Sequence, residues 1–215
     1  MLSQEQKEAL ITAAILAPSA DNSQPFQYKW QKNNDLALYI DKSRSGKSSD
    51  NRYVLSDIAL GAVIENIHIK AAQRQLTTLI TYFPDPDSEL HVANISFSAS
   101  TSTEAHSPNL ANQIPIRHTN RTFPFKGDVT VSDQEEMTRA ASLYESGLNW
   151  YQDKKEIKNV LPVIQKAESI RFKSKQLHQE LFSTVHFGSP DTEEGMHIDV
   201  LAIEKPAQPF FKLMK

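Results

Sequence analysis

Residues 17–26 read Ala17-Pro18-Ser19-Ala20-Asp21-Asn22-Ser23-Gln24-Pro25-Phe26, and the rest of the chain is organised outward from them. Two prolines bracket a run of short hydroxyl and amide side chains, so the stretch predicts a stiffened polar loop. Short polar groups on a fixed backbone can read the hydrogen-bonding edge of a planar heterocycle. The same composition also suits an ordinary helix-to-strand connection. What the rest of the chain supplies decides between the two.

Upstream, Ser3 is an N-cap with Gln4 and Glu5 in the first turn. Leu10, Ile11, Ala14 and Ile15 then form a helical stripe that ends before Pro18. Downstream, Gln27–Trp30 and Leu36–Ile40 predict two strands, and Asn33-Asn34 between them tolerates the positive φ of a hairpin. Residues 43–51 are a polar connector. Its Gly46-Lys47-Ser48 resembles the end of a phosphate-binding P-loop, but the first glycine of that motif is replaced by Asp41, so the motif is rejected.

The longest periodic segment is Tyr53–Leu76, where Leu55, Ile58, Ala59, Ala62, Val63, Ile67 and Ala71 recur at helical spacing. Ala59, Gly61 and Ala62 give it a small-residue face, suited to close helix packing or to the approach of a ligand or partner helix. Glu65 and Asn66 read as a solvated or capping pair. Thr77–Phe83 and Leu90–Ser98 predict a second hairpin around Pro84-Asp85-Pro86-Asp87. Ser98–Pro108 has no periodicity and marks a domain boundary, giving expected segments 1–105 and 106–215.

In Arg117-His118-Thr119-Asn120-Arg121, two guanidinium groups and the hydroxyl between them form a compact anion-binding constellation. A solvated basic turn has the same composition, and His118 reads as a structural histidine. Ser132-Asp133-Gln134-Glu135 predicts a helix start, Leu148–Gln152 a short strand, and Asp153–Lys158 a resumed helix. Val160 to about Phe187 predicts one long, partly exposed helix with Pro162 near its start. His178 and His186 have no third ligand nearby, so no metal site is expected. Residues 191–195 read as a polar loop, and Pro206–Lys215 as lacking a compact element.

The 215 residues suffice for one sizeable core, or for one domain and part of another. A net charge of −3 argues against nucleic-acid binding by counterion release and gives no reason for a membrane-surface role. The N-terminus lacks a signal-peptide pattern and no apolar run is long enough to span a bilayer, so a soluble, cytoplasmic protein is expected. Absence of cysteine removes thiolate chemistry and cysteine metal sites. No Ser-His-Asp order, catalytic carboxylate pair or dinucleotide fingerprint is present, so no catalytic side chain is assigned and any chemistry falls to a cofactor.

The two motifs together resemble those of the nitroreductase-like flavoproteins, which bind FMN. Residues 17–26 are similar to that family's Ala-Pro-Ser-x-x-Asn-x-Gln-Pro-Trp loop, with Phe26 in place of the tryptophan. That loop lines the isoalloxazine ring, often from across a subunit interface, which implies that Ser19, Asn22 and Gln24 contact the flavin. Residues 117–121 resemble the Arg-x-Ser-x-Arg motif that holds the FMN phosphate, which implies Arg117, Thr119 and Arg121 as a clamp. In simple nitroreductases the phosphate motif precedes the ring loop. The reversed order here resembles a subgroup with two fused nitroreductase-like repeats, as do Gln179-Glu180-Leu181 and the Glu194-Gly195 loop. Members of that subgroup continue beyond the point matching Lys215, so the second repeat is expected to be incomplete.

The resemblance implies an α+β fold with a mixed or antiparallel sheet flanked by helices, and a homodimer. It further implies an oxidoreductase passing reducing equivalents from NAD(P)H through FMN to a small acceptor. The alternatives are a non-catalytic flavin-binding or storage protein and a degenerate domain without cofactor.

Overall fold

Ser3 and Gln6 start the first helix by capping each other. The Gln6 backbone N–H donates to Ser3 Oγ at 3.1 Å, and the Ser3 N–H donates to Gln6 Oε1 at 2.9 Å. This begins α1, Gln4–Ile15, as expected. The computed structural model describes residues 1–100, 108–121, 127–144, 146–189 and 193–215. These fall into two compact units, one of Met1–Asn120 with Glu180–Lys215 and the other of Arg121–Gln179.

In the first unit, the loop after α1 leads into β1, Phe26–Trp30, and β2, Leu36–Ile40. They pair antiparallel with Phe26 opposite Ile40 and Trp30 opposite Leu36. Asn34 takes φ +68° in the turn between them, as the Asn-Asn pair predicts. The long helix α2, Val54–Gln73, follows, then β3, Leu76–Tyr82, and β4, His91–Ala99. The four-stranded sheet has the order β1-β2-β4-β3 and is antiparallel throughout. The fold class is therefore α+β.

The core lies between this sheet and the two helices. Ala59, Leu60, Val63, Ile64, Ile67 and Ala71 recur every three or four residues, so one stripe of α2 is buried. It meets Leu10 and Ala14 of α1, Leu36 and Leu38 of β2, and Val92 and Ile95 of β4. Burying each leucine or isoleucine is worth about 1.5–3 kcal/mol, and truncating fully buried Leu60 to alanine should cost about 2–5 kcal/mol.

Of the two expected roles for Asn66, solvated or capping, the structure shows capping: its Nδ2 donates to the Ala13 carbonyl at 2.9 Å, tying α2 to α1. That bond satisfies a carbonyl near the end of α1 that has no partner within its own helix. Gly61 lies on the opposite, open side, with nothing within 4 Å of where a Cβ would stand.

The polar connector before α2 is held by two carboxylates. Asp50 accepts from the N–H groups of Gly46 (3.1 Å), Leu55 (2.8 Å) and Ser56 (3.4 Å) and from the Ser56 hydroxyl. Burial raises its pKa, but these hydrogen bonds outweigh burial and leave it below the usual aspartate value. They also hold Arg52 and Tyr53 at φ +54° and +59° just before the helix. Glu180 grips the same connector with both oxygens, accepting from Ser48 N–H (2.9 Å) and Ser49 N–H (3.0 Å).

Residues 101–107, the middle of the expected connector and the site of the expected 105/106 boundary, lie outside the described residues. Beyond them α3, Pro108–Gln113, is followed by irregular chain to Asn120.

In the second unit, α4 spans Val131–Ser142. Its cap is Thr130, whose Oγ1 accepts from Asp133 N–H at 3.2 Å, two residues before the expected Ser132. The expected strand at Leu148–Gln152 does not form. Those residues are exposed and pair with no strand among the described residues, so their β-compatible sequence has nothing to complete it. The expected single helix from Val160 is also corrected. Asp153 caps α5, Lys154–Lys173, which places Pro162 inside it. Ser174 then turns extended (φ −78°, ψ 117°) before α6, Lys175–Ser183, which runs back into the first unit. No described residue of the second unit is buried.

Back in the first unit, β5, Val185–His186, pairs in parallel with β6, Met196–His197. The last ten residues do form structure, contrary to expectation. A 3-10 turn at Lys205–Ala207 leads into α7, Gln208–Leu213. The Phe211 ring lies 4.7 Å from that of buried Phe182, and Lys215 Nζ donates to the Val185 carbonyl at 3.1 Å. Long-range aromatic packing, which local pattern does not encode, orders this end.

Candidate functional site

The loop of residues 17–26 is strained. Ala20–Asn22 form a short 3-10 segment after extended Ser19, and Asp21, Asn22 and Gln24 take φ +53°, +53° and +46°. Left-handed backbone costs an ordinary L-residue about 1–2 kcal/mol, and asparagine and aspartate tolerate it better than glutamine. Such conformations persist where surrounding contacts impose them, and they cluster at functional sites.

The imposing contacts are specific. Ser19 Oγ accepts the Gln24 N–H at 3.0 Å, closing the loop on itself. Asn22 Nδ2 donates to the Gly195 carbonyl at 3.1 Å, and Gly195 N–H donates back to the Asn22 carbonyl at 3.2 Å. Gln24 Nε2 donates to the Glu193 carbonyl at 3.0 Å. The loop at the end of α1 is thus fastened to chain about 170 residues later, and Ser19, Asn22 and Gln24 are brought together around it.

Beside this loop is an open cleft of about 410 Å³ lined by Ile15, Gln24, Phe26, Gln27, Tyr28, Asp41 and Arg44. Apolar and aromatic side chains form one part of its wall, and two amides, a guanidinium and a carboxylate form the rest. Its size falls in the range of small-molecule sites, about 300–1,000 Å³. Hydrogen bonds from the Ser43 hydroxyl and N–H hold Asp41 below the usual aspartate pKa against the opposing effect of burial. Arg44 Nε stands 3.5 Å from Glu194 Oε2 and 3.9 Å from Asp41 Oδ2.

Arg44, Asp41 and the Glu193–Gly195 segment were not among the expected site residues. The polar run at 191–195 is visible in the sequence, but nothing local pairs it with residues 22–24. Arg44 sits in a connector whose only motif-like feature points elsewhere.

The remaining expected residues are not among those lining the cleft. Arg117 and Thr119 are exposed in the irregular chain after α3, and Arg121 opens the other unit. Among the described residues the Arg117 guanidinium makes no ion pair. His118 Nδ1 lies 3.2 Å from the Ile116 carbonyl, a local structural contact. Among the described residues no cluster of three histidines or carboxylates could hold a metal ion. No described helix is long and apolar enough to cross a membrane.

A second cleft, of about 380 Å³, lies between α1, α2 and α3, with Ala9, Ala13, Leu16 and Ile114 in its wall and Lys70 at its edge. Lys70 Nζ already donates to Gln73 Oε1 at 2.7 Å, so this cleft offers less open polar chemistry than the first.

No protein-family model matches the chain. It is 32% identical over 127 residues to the Mycobacterium tuberculosis (strain H37Rv) protein named "Putative NAD(P)H nitroreductase acg", a match covering 58% of this chain and 37% of that protein. It is 27% identical over 206 residues to "Uncharacterized protein MT1398" of M. tuberculosis (strain CDC 1551), covering 94% of this chain and 27% of that protein. The chain therefore spans less than half the length of these curated relatives. Among solved structures, a nitroreductase family protein of Clostridium difficile 630 aligns at 14% identity and a TM-score of 0.41, over 58% of this chain and 88% of that one. Over more than half its length, this chain is similar in sequence to a protein named for nitroreductase activity.

Proposed function

We propose that this chain binds FMN and serves as an oxidoreductase of the nitroreductase type, passing reducing equivalents from NAD(P)H to a small acceptor. The observation that carries the reading is the strained loop of Asp21, Asn22 and Gln24 beside a cleft walled by Ile15, Phe26 and Tyr28. A backbone held out of its preferred region at a cleft signals a function that offsets the cost.

The residues fit such a cofactor. The cleft offers apolar and aromatic surface for a flat ring, and amide donors at its edge for ring carbonyls. In this reading Ser19 holds the loop closed through the Gln24 N–H, and Asn22 and Gln24 orient the ring. Arg117, Thr119 and Arg121 hold the phosphate, charge-assisted donors being the strongest available for it. FMN, when bound, supplies the hydride chemistry, and the chain's part is to bind, orient and exclude water.

A homodimer belongs to the same reading. Val54, Leu55 and Ile58 expose an apolar face on α2 next to the open Gly61, where a second copy would bury apolar surface. The two-repeat arrangement, with segments 1–105 and 106–215, and a cytoplasmic location complete it.

Titration of the purified chain with FMN, followed by flavin absorbance, tests the binding step. Arg117→Ala and Arg121→Ala should each weaken FMN by about 1.5–3 kcal/mol, the value of a hydrogen bond to a charged group. Unchanged affinity in both removes the phosphate role. Oxidation of NAD(P)H by the flavin-loaded chain distinguishes an enzyme from a flavin store, which would hold FMN without turnover.

A further inference from the structure

The second cleft, between α1, α2 and α3, lies within the first unit and shares no lining residue with the first cleft. Its wall is apolar where Ala9, Ala13, Leu16, Ala111 and Ile114 meet, and the small alanines leave the space open. At about 380 Å³ it has the size of a small-molecule site. Its polar side chains are fewer than those of the first cleft: Thr12 on α1, Lys70 on α2 and Asn112 on α3.

One residue decides which way these groups face. A lysine ammonium can only donate, and Lys70 Nζ donates to Gln73 Oε1 at 2.7 Å. Gln73 therefore turns its Nε2 to Asn112, which meets it with Oδ1 at 3.3 Å. Both hydrogens of Asn112 Nδ2, and two of the three on Lys70 Nζ, are left without a partner among the described residues. Thr12 gives its hydroxyl hydrogen to the Glu8 carbonyl at 2.8 Å and so adds no donor. No described carboxylate lines the cleft or pairs with the half-buried Lys70. The last turn of α2 favours a cation on its own account, but it does not call for an oriented amide donor beside that cation.

An edge of donors beside an apolar wall calls for a ligand built to match, with negatively charged acceptor oxygens on an apolar body. Charge-assisted hydrogen bonds are the strong ones, and a carboxylate accepts at both of its oxygens. We propose that this cleft binds a small monocarboxylic acid. Its carboxylate lies on Lys70 Nζ and Asn112 Nδ2, and its apolar body against Ala9, Ala13, Leu16 and Ile114. A phosphate monoester suits the cleft less well, because its second charge finds no second cation among the described residues of the lining. The site is independent of the FMN reading, and either can fail without the other.

The experiment titrates the full chain with octanoate and follows the backbone amide resonances by NMR, with octanol as a probe of the same body lacking the charge. Octanoate should give saturable shifts centred on residues 9–16, Lys70 and residues 111–115. Lys70→Met keeps an apolar stem and removes the ammonium, so it should weaken octanoate by about tenfold, the value of one charge-assisted bond, and leave octanol unchanged. Asn112→Asp keeps an acceptor for Gln73 and replaces the two donors by a carboxylate, so it should weaken octanoate at least as much, again sparing octanol. Absence of saturable shifts at millimolar octanoate overturns the proposal, as does equal octanoate affinity in the parent and both variants. Octanol weakened as much as octanoate shows apolar filling alone and overturns it too. Shifts of the same residues on raising the protein concentration without ligand place a second copy in the cleft, and also overturn it. Should Lys70→Met fail to fold, Asn112→Asp, at an exposed position, decides the question.

Discussion

Replacing Gln24 by alanine and by glycine should separate the work of its backbone from that of its side chain. Both substitutions delete the 3.0 Å bond from Nε2 to the Glu193 carbonyl. A hydrogen bond contributes about 0.5–1.5 kcal/mol, and this exposed one falls at the lower end of that range. Alanine keeps the left-handed φ of +46°, with its cost of about 1–2 kcal/mol. Glycine removes that cost but loses about 0.5–1 kcal/mol more chain entropy on folding. Gln24→Ala should therefore destabilise the protein by about 0.5–1 kcal/mol. Gln24→Gly should come out about 0.5–1 kcal/mol more stable than Gln24→Ala, close to the parent. Urea denaturation with linear extrapolation resolves such differences when the slopes agree. In thermal melts, about 1 kcal/mol appears as roughly 2–4 °C in a chain of this size. An alanine variant as stable as the glycine variant would refute the reasoning, because residue 24 would then not be held in the left-handed region. FMN binding adds a contrast, since both variants lack the amide and should lose ring recognition equally, whatever their stabilities.

Two further outcomes follow from the connector before α2. Asp50→Ala removes the acceptor shared by Gly46, Leu55 and Ser56, and should cost about 3–4 kcal/mol, a lost cap plus a charged hydrogen-bond partner. A loss below about 1 kcal/mol in urea denaturation would show that water replaces the carboxylate. Burial raises the pKa of Glu180, but its bonds from Ser48 and Ser49 leave it below the ordinary glutamate value of 4.5. Its contribution to stability is therefore present above pH 4.5 and is lost as pH falls through the depressed folded-state value. Exchange protection of the Ser48 and Ser49 amides, corrected for intrinsic rates, should fall in that window, and Glu180→Gln should abolish the pH dependence.

The parts of the fold that could be read from the sequence are those fixed by neighbours in the chain. The Ser3 cap, the stripe positions Ala59, Val63, Ile67 and Ala71, and the turn at Asn33-Asn34 are each decided within a few residues and stand where expected. Leu55 and Ile58 of the expected stripe are instead exposed, and Leu60 and Ile64 are buried in their place. Errors fall where a distant partner decides. Local pattern leaves Asn66 either solvated or capping, and its partner, the Ala13 carbonyl, is 53 positions away. Leu148–Gln152 has strand composition and no strand to pair with among the described residues, and the last turn of the chain is helical because Phe211 packs on Phe182. The break at Ser174 lacks the proline or glycine that would have announced it.

The candidate site divides along the same line. Pro18 and Pro25 mark the loop, and its polar residues point to a hydrogen-bonding role. Its partners Glu193, Glu194 and Gly195, and Arg44 beside it, come together only through the fold. A motif can name Asn22 and Gln24, but it cannot say which backbone carbonyls they hold.

The division of the first unit into 1–120 and 180–215 carries a consequence for the chain between. The grip of Glu180 on the Ser48–Ser49 turn, and of Glu193–Gly195 on Asn22 and Gln24, lies on the far side of that excursion. The first unit therefore treats residues 121–179 as a loop to be closed. The entropy of closing a loop rises only with the logarithm of its length, about 0.6 kcal/mol per doubling. Evolution or a protein engineer could shorten, lengthen or exchange that stretch at little thermodynamic expense to the sheet and its helices. A chain cut at residue 120 would keep every strand of that sheet and the Ser19–Gln24 bond, and lose the Glu193 and Gly195 contacts that fasten the loop at residues 17–26 from outside.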